Sequence, residues 1–207
     1  MEFYNMTCSW FRVLNHLFIC LAILTHGLSA QSASEDIALS RVWYNFLRSP
    51  SAQTAVSLYN ALPASRERGH EHILYKRQLK THVSIYEHLG LITGVAMSGD
   101  RAFTRLAFRL YTISDADFTE TLDQALGSLI DSHPRLFLEE LQNHRLLLKG
   151  HLGGLLCNLG DKYVDRSDEQ IKVLKERRRK LLSVAGPNLS SLRDECLVRI
   201  NDEIQLL

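Results

Sequence analysis

Apolar residues recur along much of this chain at helical spacing, three and four apart, most plainly from Asp115 to Leu148. Phe118, Leu122, Ala125, Leu126 and Leu129 form one stripe. Asp115, Asp117 and Glu120 surround its first turn, where carboxylates favour the helix dipole. Ser132-His133-Pro134 then interrupts the pattern. Proline disfavours helical geometry in the residue before it, yet it sits well in a helix's first turn. Beyond it Phe137, Leu141 and Leu148 recur, widened by Leu136, Leu138 and Leu147. Two striped helices joined so closely predict an antiparallel helical hairpin.

The same pattern extends in both directions. Ser34 suits an N-cap for a first helix from Glu35, with Ile37, Val42, Phe46 and Leu47 apolar. Ser49-Pro50 stops it, and Ala52, Ala55, Val56, Tyr59 and Leu62 carry a second helix to Pro63. A polar connector at 64–69 leads to a long helix over about 71–91, bearing Leu79, Val83, Tyr86 and Leu89. Gly90, Gly94 and Gly99 loosen the next segment, part of which can continue that helix at a close crossing. Asp100 precedes a helix on Phe103, Leu106, Leu110 and Ile113. After the central hairpin, a short helix is predicted over Leu152–Leu159. Another starts at Ser167 or Asp168 and runs to Gly186-Pro187, and the last spans Ser190–Leu206. No stretch sustains strand alternation between hairpin turns. The expected fold is therefore all-α, one domain from 35 to 207, built of antiparallel helical hairpins stacked as a short superhelix or a compact bundle.

The hairpin segments TETLDQALGSLIDSHPRLFLEEL and IALSRVWYNFLRSPSAQTAVSLYNALP, with prolines at their corners, resemble the HEAT and armadillo type of α-solenoid. That resemblance covers about a third of the chain beyond its leader and implies a binding scaffold with a concave surface. A period of about 40 residues, usual in that group, is missing.

Composition changes this picture little. Of 207 residues 45% are hydrophobic and 23% charged, ordinary values for a globular chain. A net charge of +1 argues against a dedicated nucleic-acid binder. The N-terminus adds more. Arg12, the apolar run Leu17–Leu24 and small Gly27, Ser29 and Ala30 follow the order of a secretory signal peptide over 1–30, with cleavage after Ala30 or Ser32. The run is too short for a membrane span of about 20 residues. The expected location is thus exported, periplasmic or secreted, with an uncleaved anchor or a buried N-terminal helix as alternatives. Loss of the leader leaves Cys157 and Cys196 as a candidate disulfide in an oxidising compartment, or as two buried thiols.

Candidate chemistry is sparse. G-x-S-x-G, C-x-x-C, H-E-x-x-H and the phosphate-binding glycine loop are all missing. His70 and His72 fall on different sides of a helix, and His144 and His151 could share a face but have Gly150 between them and no carboxylate at ligand spacing, so neither a metal nor a cofactor is expected. Arg101, Arg105 and Arg109, four apart, form one helical ridge. Asp115, Asp117, Glu120, Asp123 and Asp131 are the expected counter-charges. The ridge then reads either as ion pairing between packed helices or as an acidic-partner site extended by Lys76 and Lys80. KERRRK at 175–180 reads as a solvated helix face. Together these features predict an exported, non-catalytic interaction module for another protein of the cell envelope. The alternatives are a small helical envelope hydrolase and a binder of apolar ligands among Phe103, Phe108, Phe118 and Phe137.

Overall fold

A buried central helix organises the packing. The computed structural model describes residues 38–62, 88–114, 116–145, 148 and 150–207. The leader, the expected start at 35, Lys76, Lys80 and the long helix over about 71–87 lie outside them. The chain divides after Arg41 into two compact units, and the second runs from Val42 to Leu207. The described helices are α1 (38–48), which spans that division, and, within the second unit, α2 (Ala52–Ala61), α3 (Leu89–Ala96), α4 (Arg101–Tyr111), α5 (Ala116–Ser132), α6 (Pro134–His144), α7 (Leu152–Cys157), α8 (Ser167–Leu182) and α9 (Pro187–Leu206), with a 3₁₀ turn at Asp161–Tyr163. Among the described residues there is no strand, and no helix is long and apolar enough to cross a membrane. The fold is all-α.

Local chemistry sets the helix starts. Ser51 caps α2 through a reciprocal pair of bonds with Thr54, and Asp100 caps α4 by accepting from the amides of Ala102 and Phe103. Two corners rest on proline. Pro134 opens α6 as expected, and Pro187 opens α9 three residues earlier than the spacing predicts. The reason is the one that holds at Pro134: proline lacks only an amide that a first turn leaves unbonded anyway. Gly186, at φ 140, supplies the bend that precedes it. The glycine segment is in part helical, as expected, since Gly90 and Gly94 lie within α3.

α5 packs against α3, α4, α6, α7 and α8. Phe118, Leu122, Leu126, Leu129 and Ile130 are wholly buried along it. Phe108 of α4 and Phe137 of α6 meet nearby with ring centroids 5.8 Å apart, and both are fully buried. Phe108, Phe118 and Phe137 are therefore core, and Phe103 reaches the edge of Phe46 at 6.3 Å. α4 also packs on α2 and α6, while α9 lies on α6, α7 and α8.

Two close approaches depend on missing side chains. Gly99, at φ +78 between α3 and α4, sits so near the His133 ring that a Cβ would overlap it. The α3–α4 turn is thereby seated on the α5–α6 corner. On α5, a Cβ at Gly127 would stand 2.7 Å from the Leu155 carbonyl oxygen and 3.0 Å from Arg177 Nη1. Replacing a mid-helix glycine by alanine usually stabilises by about 1 kcal/mol. Here the backbone of α7 blocks the added methyl, so overpacking decides the sign. Gly127→Ala is expected to lower stability by about 1–2 kcal/mol in urea unfolding; a gain would show that α7 does not press on α5 there.

Candidate functional site

The arginine ridge emerges on the surface of α4, and its counter-charges come from α6. Arg101 bonds Glu139 through Nη2 and Glu140 through Nη1 at 3.3 Å. Arg105 Nε lies 3.4 Å from Glu140 Oε2. Asn143 Nδ2 donates to the same carboxylate at 3.3 Å. Glu140 is 0% exposed, whereas Arg101 and Arg105 are 58% and 45% exposed. A carboxylate removed from water thus has two guanidiniums reaching over it from the solvent side. Arg101 and Arg105 show ion pairing between packed helices, but of the expected partners Glu120, Asp123 and Asp131 do not supply it, while the side chains of Asp115 and Asp117 lie outside those described. Asp123 bonds Tyr111, Asp131 faces Arg177, and Glu120 is exposed. The face of α4 that carries the ridge packs on α6, so neighbours in sequence are not its neighbours in space.

Arg109, the third member, diverges. Its Nη2 donates to the Leu62 carbonyl at 3.1 Å, and its guanidinium lies 5.5 Å from the centre of the Tyr59 ring. Arg105 approaches the same ring at 5.5 Å. Tyr59 is thereby flanked by two cations, a favourable arrangement for an aromatic face. Its hydroxyl meets His144 Nε2 at 3.5 Å, and the buried His144 ring stacks on Phe108 with centroids 5.6 Å apart. His144 Nδ1 lies 2.8 Å from the Glu140 carbonyl oxygen. A carbonyl can only accept, so Nδ1 holds the proton and Nε2 accepts from Tyr59. Burial pushes the His144 pKa below its ordinary value and keeps the ring neutral.

Arg101 also lines a cavity of about 490 Å³ at the α5–α6 corner, together with Ser132, His133, Arg135, Glu139 and Ser183–Ala185. Arg135, 59% exposed, lies 3.7 Å from Glu139 and donates to the Ala185 carbonyl at the end of α8. Glu139 therefore ties Arg101 to Arg135 across the rim. Three guanidiniums face two carboxylates on this surface, leaving positive charge in excess.

A second buried carboxylate lies on the other side of α4. The Tyr111 hydroxyl donates to Asp123 Oδ1 at 2.7 Å, with both residues buried. Gly154 of α7 approaches so closely that a Cβ would stand 2.6 Å from Asp123 Oδ2. The His151 ring meets the Tyr111 ring edge-on at 5.9 Å. Burial lifts the Asp123 pKa to about 6; the Tyr111 bond and nearby His151 pull it down, and Glu120 pushes it up. Burial and the carboxylate together raise the Tyr111 phenol. Neither Asp123 nor His144 lines the cavity.

The basic run on α8 is not uniformly solvated. Arg177 is buried, donates through Nη1 to the Leu156 carbonyl at 2.6 Å, and lies 3.8 Å from Asp131. Lys175, Arg178 and Arg179 stay exposed. Cys157 and Cys196 both stand as free thiols, and burial pushes each up to about 12. Thiols with such pKa values are weak nucleophiles near neutral pH. Among the described residues, no three His, Cys, Asp or Glu side chains gather as a metal site requires.

Sequence reasoning passed over Glu139, Glu140, Arg135, His133 and Tyr59. One signal was legible: Arg135 and Glu139 stand four apart, as a helical ion pair does. Compared with known proteins, the chain matches no family model, no curated sequence and no solved structure.

The ridge carries an asymmetry that can be measured. Removing Arg101 and Arg105 together strands the buried Glu140 charge, whereas Glu140→Gln leaves exposed guanidiniums that water still solvates. Arg101→Gln/Arg105→Gln is expected to cost about 3 kcal/mol in urea unfolding, and adding Glu140→Gln to recover most of it. Equal losses in the double and triple variants would remove Glu140 from the centre of the network.

Asp123 gives a prediction about pH. An acid with a raised pKa binds its proton more tightly folded than unfolded, so Asp123 weakens the fold as pH rises from about 4 through about 6. Above that its cost is constant. Asn keeps an acceptor for Tyr111 and carries no charge. Asp123→Asn is expected to be more stable than wild type by about 1–2 kcal/mol at pH 7.5, a figure reduced for partial screening, and to match it near pH 4. A difference between the two proteins that does not change with pH would place the carboxylate in contact with water.

Proposed function

We propose that the protein is an exported, non-catalytic α-helical interaction module that presents the α4–α6 surface to an acidic region of another envelope protein. Its helical hairpins, resembling a HEAT-like stack, serve as the scaffold. The carrying observation is the pinned ridge. Arg101 and Arg105 are about half exposed yet tied to an immobile buried carboxylate, so their remaining N–H donors are held in place before a partner arrives. Pre-organised donors cost less ordering entropy on binding than free side chains do. The leader at 1–30 supports export. The hydrolase alternative draws less support, because the cavity's His133 is exposed, its Glu139 is held by Arg101 and Arg135, and buried Asp123 and His144 lie away from it.

The test must not confuse lost binding with lost folding. Arg101→Gln/Arg105→Gln/Glu140→Gln removes the exposed charges and the buried one together, and Glu140→Gln alone is the control. The wild type and the control are expected to capture the same protein from the native envelope fraction. Mass spectrometry identifies it, and the purified partner is then titrated. The triple variant is expected to bind it at least about tenfold more weakly. A triple variant that binds like wild type would sink the proposal.

A further inference from the structure

The arginine surface does not end at the cavity. The far wall is Ser183–Ala185, the residues that follow α8, and Arg135 is bonded to Ala185 there. The basic half of α8 therefore runs directly to the rim. Along α8 the charge changes sign: Asp168 and Glu169 occupy the first turn, and Lys172, Lys175, Arg178, Arg179 and Lys180 follow. Cations in the last turn complement the helix dipole, which accounts for Arg179 and Lys180. Lys172 and Lys175 lie too far from that end for the same explanation. Arg179 is satisfied by Glu176 at 2.5 and 2.8 Å. Among the described residues, exposed Lys172, Lys175 and Arg178 have no carboxylate within ion-pair distance.

We propose that exposed Lys172, Lys175 and Arg178 of α8 join Arg135 and Arg101 at the cavity in one continuous tract that grips an extended, acidic segment of a partner protein. The inference rests on the interaction reading above and gives its partner a chemistry. Lys172, Lys175 and Arg178 stand three residues apart, so the three cations fall within about 9 Å along the axis. Alternate side chains of an extended peptide are about 6.6 Å apart, so two acidic residues at every second position fall within that span. Other partners fit less well. A nucleic-acid backbone, with a charge at every phosphate, calls for a broad basic excess, and the chain's net charge is only +1. A lipid surface calls for several protruding apolar groups, and on this half of α8 Leu182 is the exposed one.

The experiment uses the full chain and a fluorescent peptide of alternating Glu and Ala, read by anisotropy. An uncharged Gln-Ala peptide, vesicles of phosphatidylglycerol and phosphatidylcholine, and a short DNA duplex are the comparison ligands. Wild type is expected to bind the acidic peptide in preference to all three and to weaken as salt rises. Lys175→Glu/Arg178→Glu is expected to lose about tenfold in affinity, and Lys175→Gln/Arg178→Gln a smaller factor, with circular dichroism unchanged in both. Wild-type affinity in the charge-reversed protein would overturn the tract, as would tighter binding of vesicles or duplex. The two proposals fail separately. Loss of partner binding in the Arg101/Arg105/Glu140 variant with full binding in the α8 variant sinks only the tract, and the reverse pattern sinks only the α4–α6 ridge.

Discussion

A helix surrounded by five others is the constraint on which the structure depends. α5 is nearly devoid of a solvent face along its middle, yet it carries the buried Asp123 among its leucines, with Asp131 part-exposed near its end. A carboxylate taken from water costs several kcal/mol unless something answers it, and here the answering groups come from neighbouring helices. Tyr111 of α4 meets Asp123, and Arg177 of α8 meets Asp131. Glycine solves the spatial half of the same problem. Gly127 on α5 admits the α7 backbone, and Gly154 on α7 admits the Asp123 carboxylate. Each polar group inside the bundle thus fixes the position of one helix against the centre.

Much of this architecture was legible in advance. Apolar spacing at Phe118, Leu122, Leu126 and Leu129 identified the buried face of α5, because a stripe of that width has to be covered. Pro134 and Asp100 marked helix starts for local chemical reasons that tertiary context did not override. Pro187 was misread as part of a stop because Gly-Pro has two meanings, an end after one helix and an opening for the next. Gly90 and Gly94 lie inside α3, in the segment expected to be helical in part. Their intrinsic cost in a helix is about 1 kcal/mol each, small enough for the packing of α3 on α5 to overcome.

The candidate site was legible only on one side. Spacing placed Arg101 and Arg105 on one ridge, since i and i+4 share a face regardless of what lies opposite. What lay opposite depended on which helix α4 would pack against, and that is settled by the whole core. Glu140 illustrates the limit. It follows Glu139 in a run that reads as the polar side of α6, yet one of the pair is sealed and the other about a quarter exposed. A single helical step of about 100° separates them, and the apolar stripe of α6 is wide enough that its edge falls between the two.

That step gives the surface its character. Were both glutamates exposed, Arg101 and Arg105 would form ordinary solvent-side pairs, each contributing little and each free to reorient. With Glu140 buried, its charge cannot leave the protein, and desolvation holds both guanidiniums over it. Glu139 then extends the constraint to Arg135, and Arg135 reaches the end of α8 through Ala185. One carboxylate on the inner side of α6 thereby orders positive charge from the start of α4 to Arg135 at the start of α6. The order is imposed from inside, by the energetic cost of an unanswered charge, so a rigid basic surface needs no loop closure or bound ligand to form.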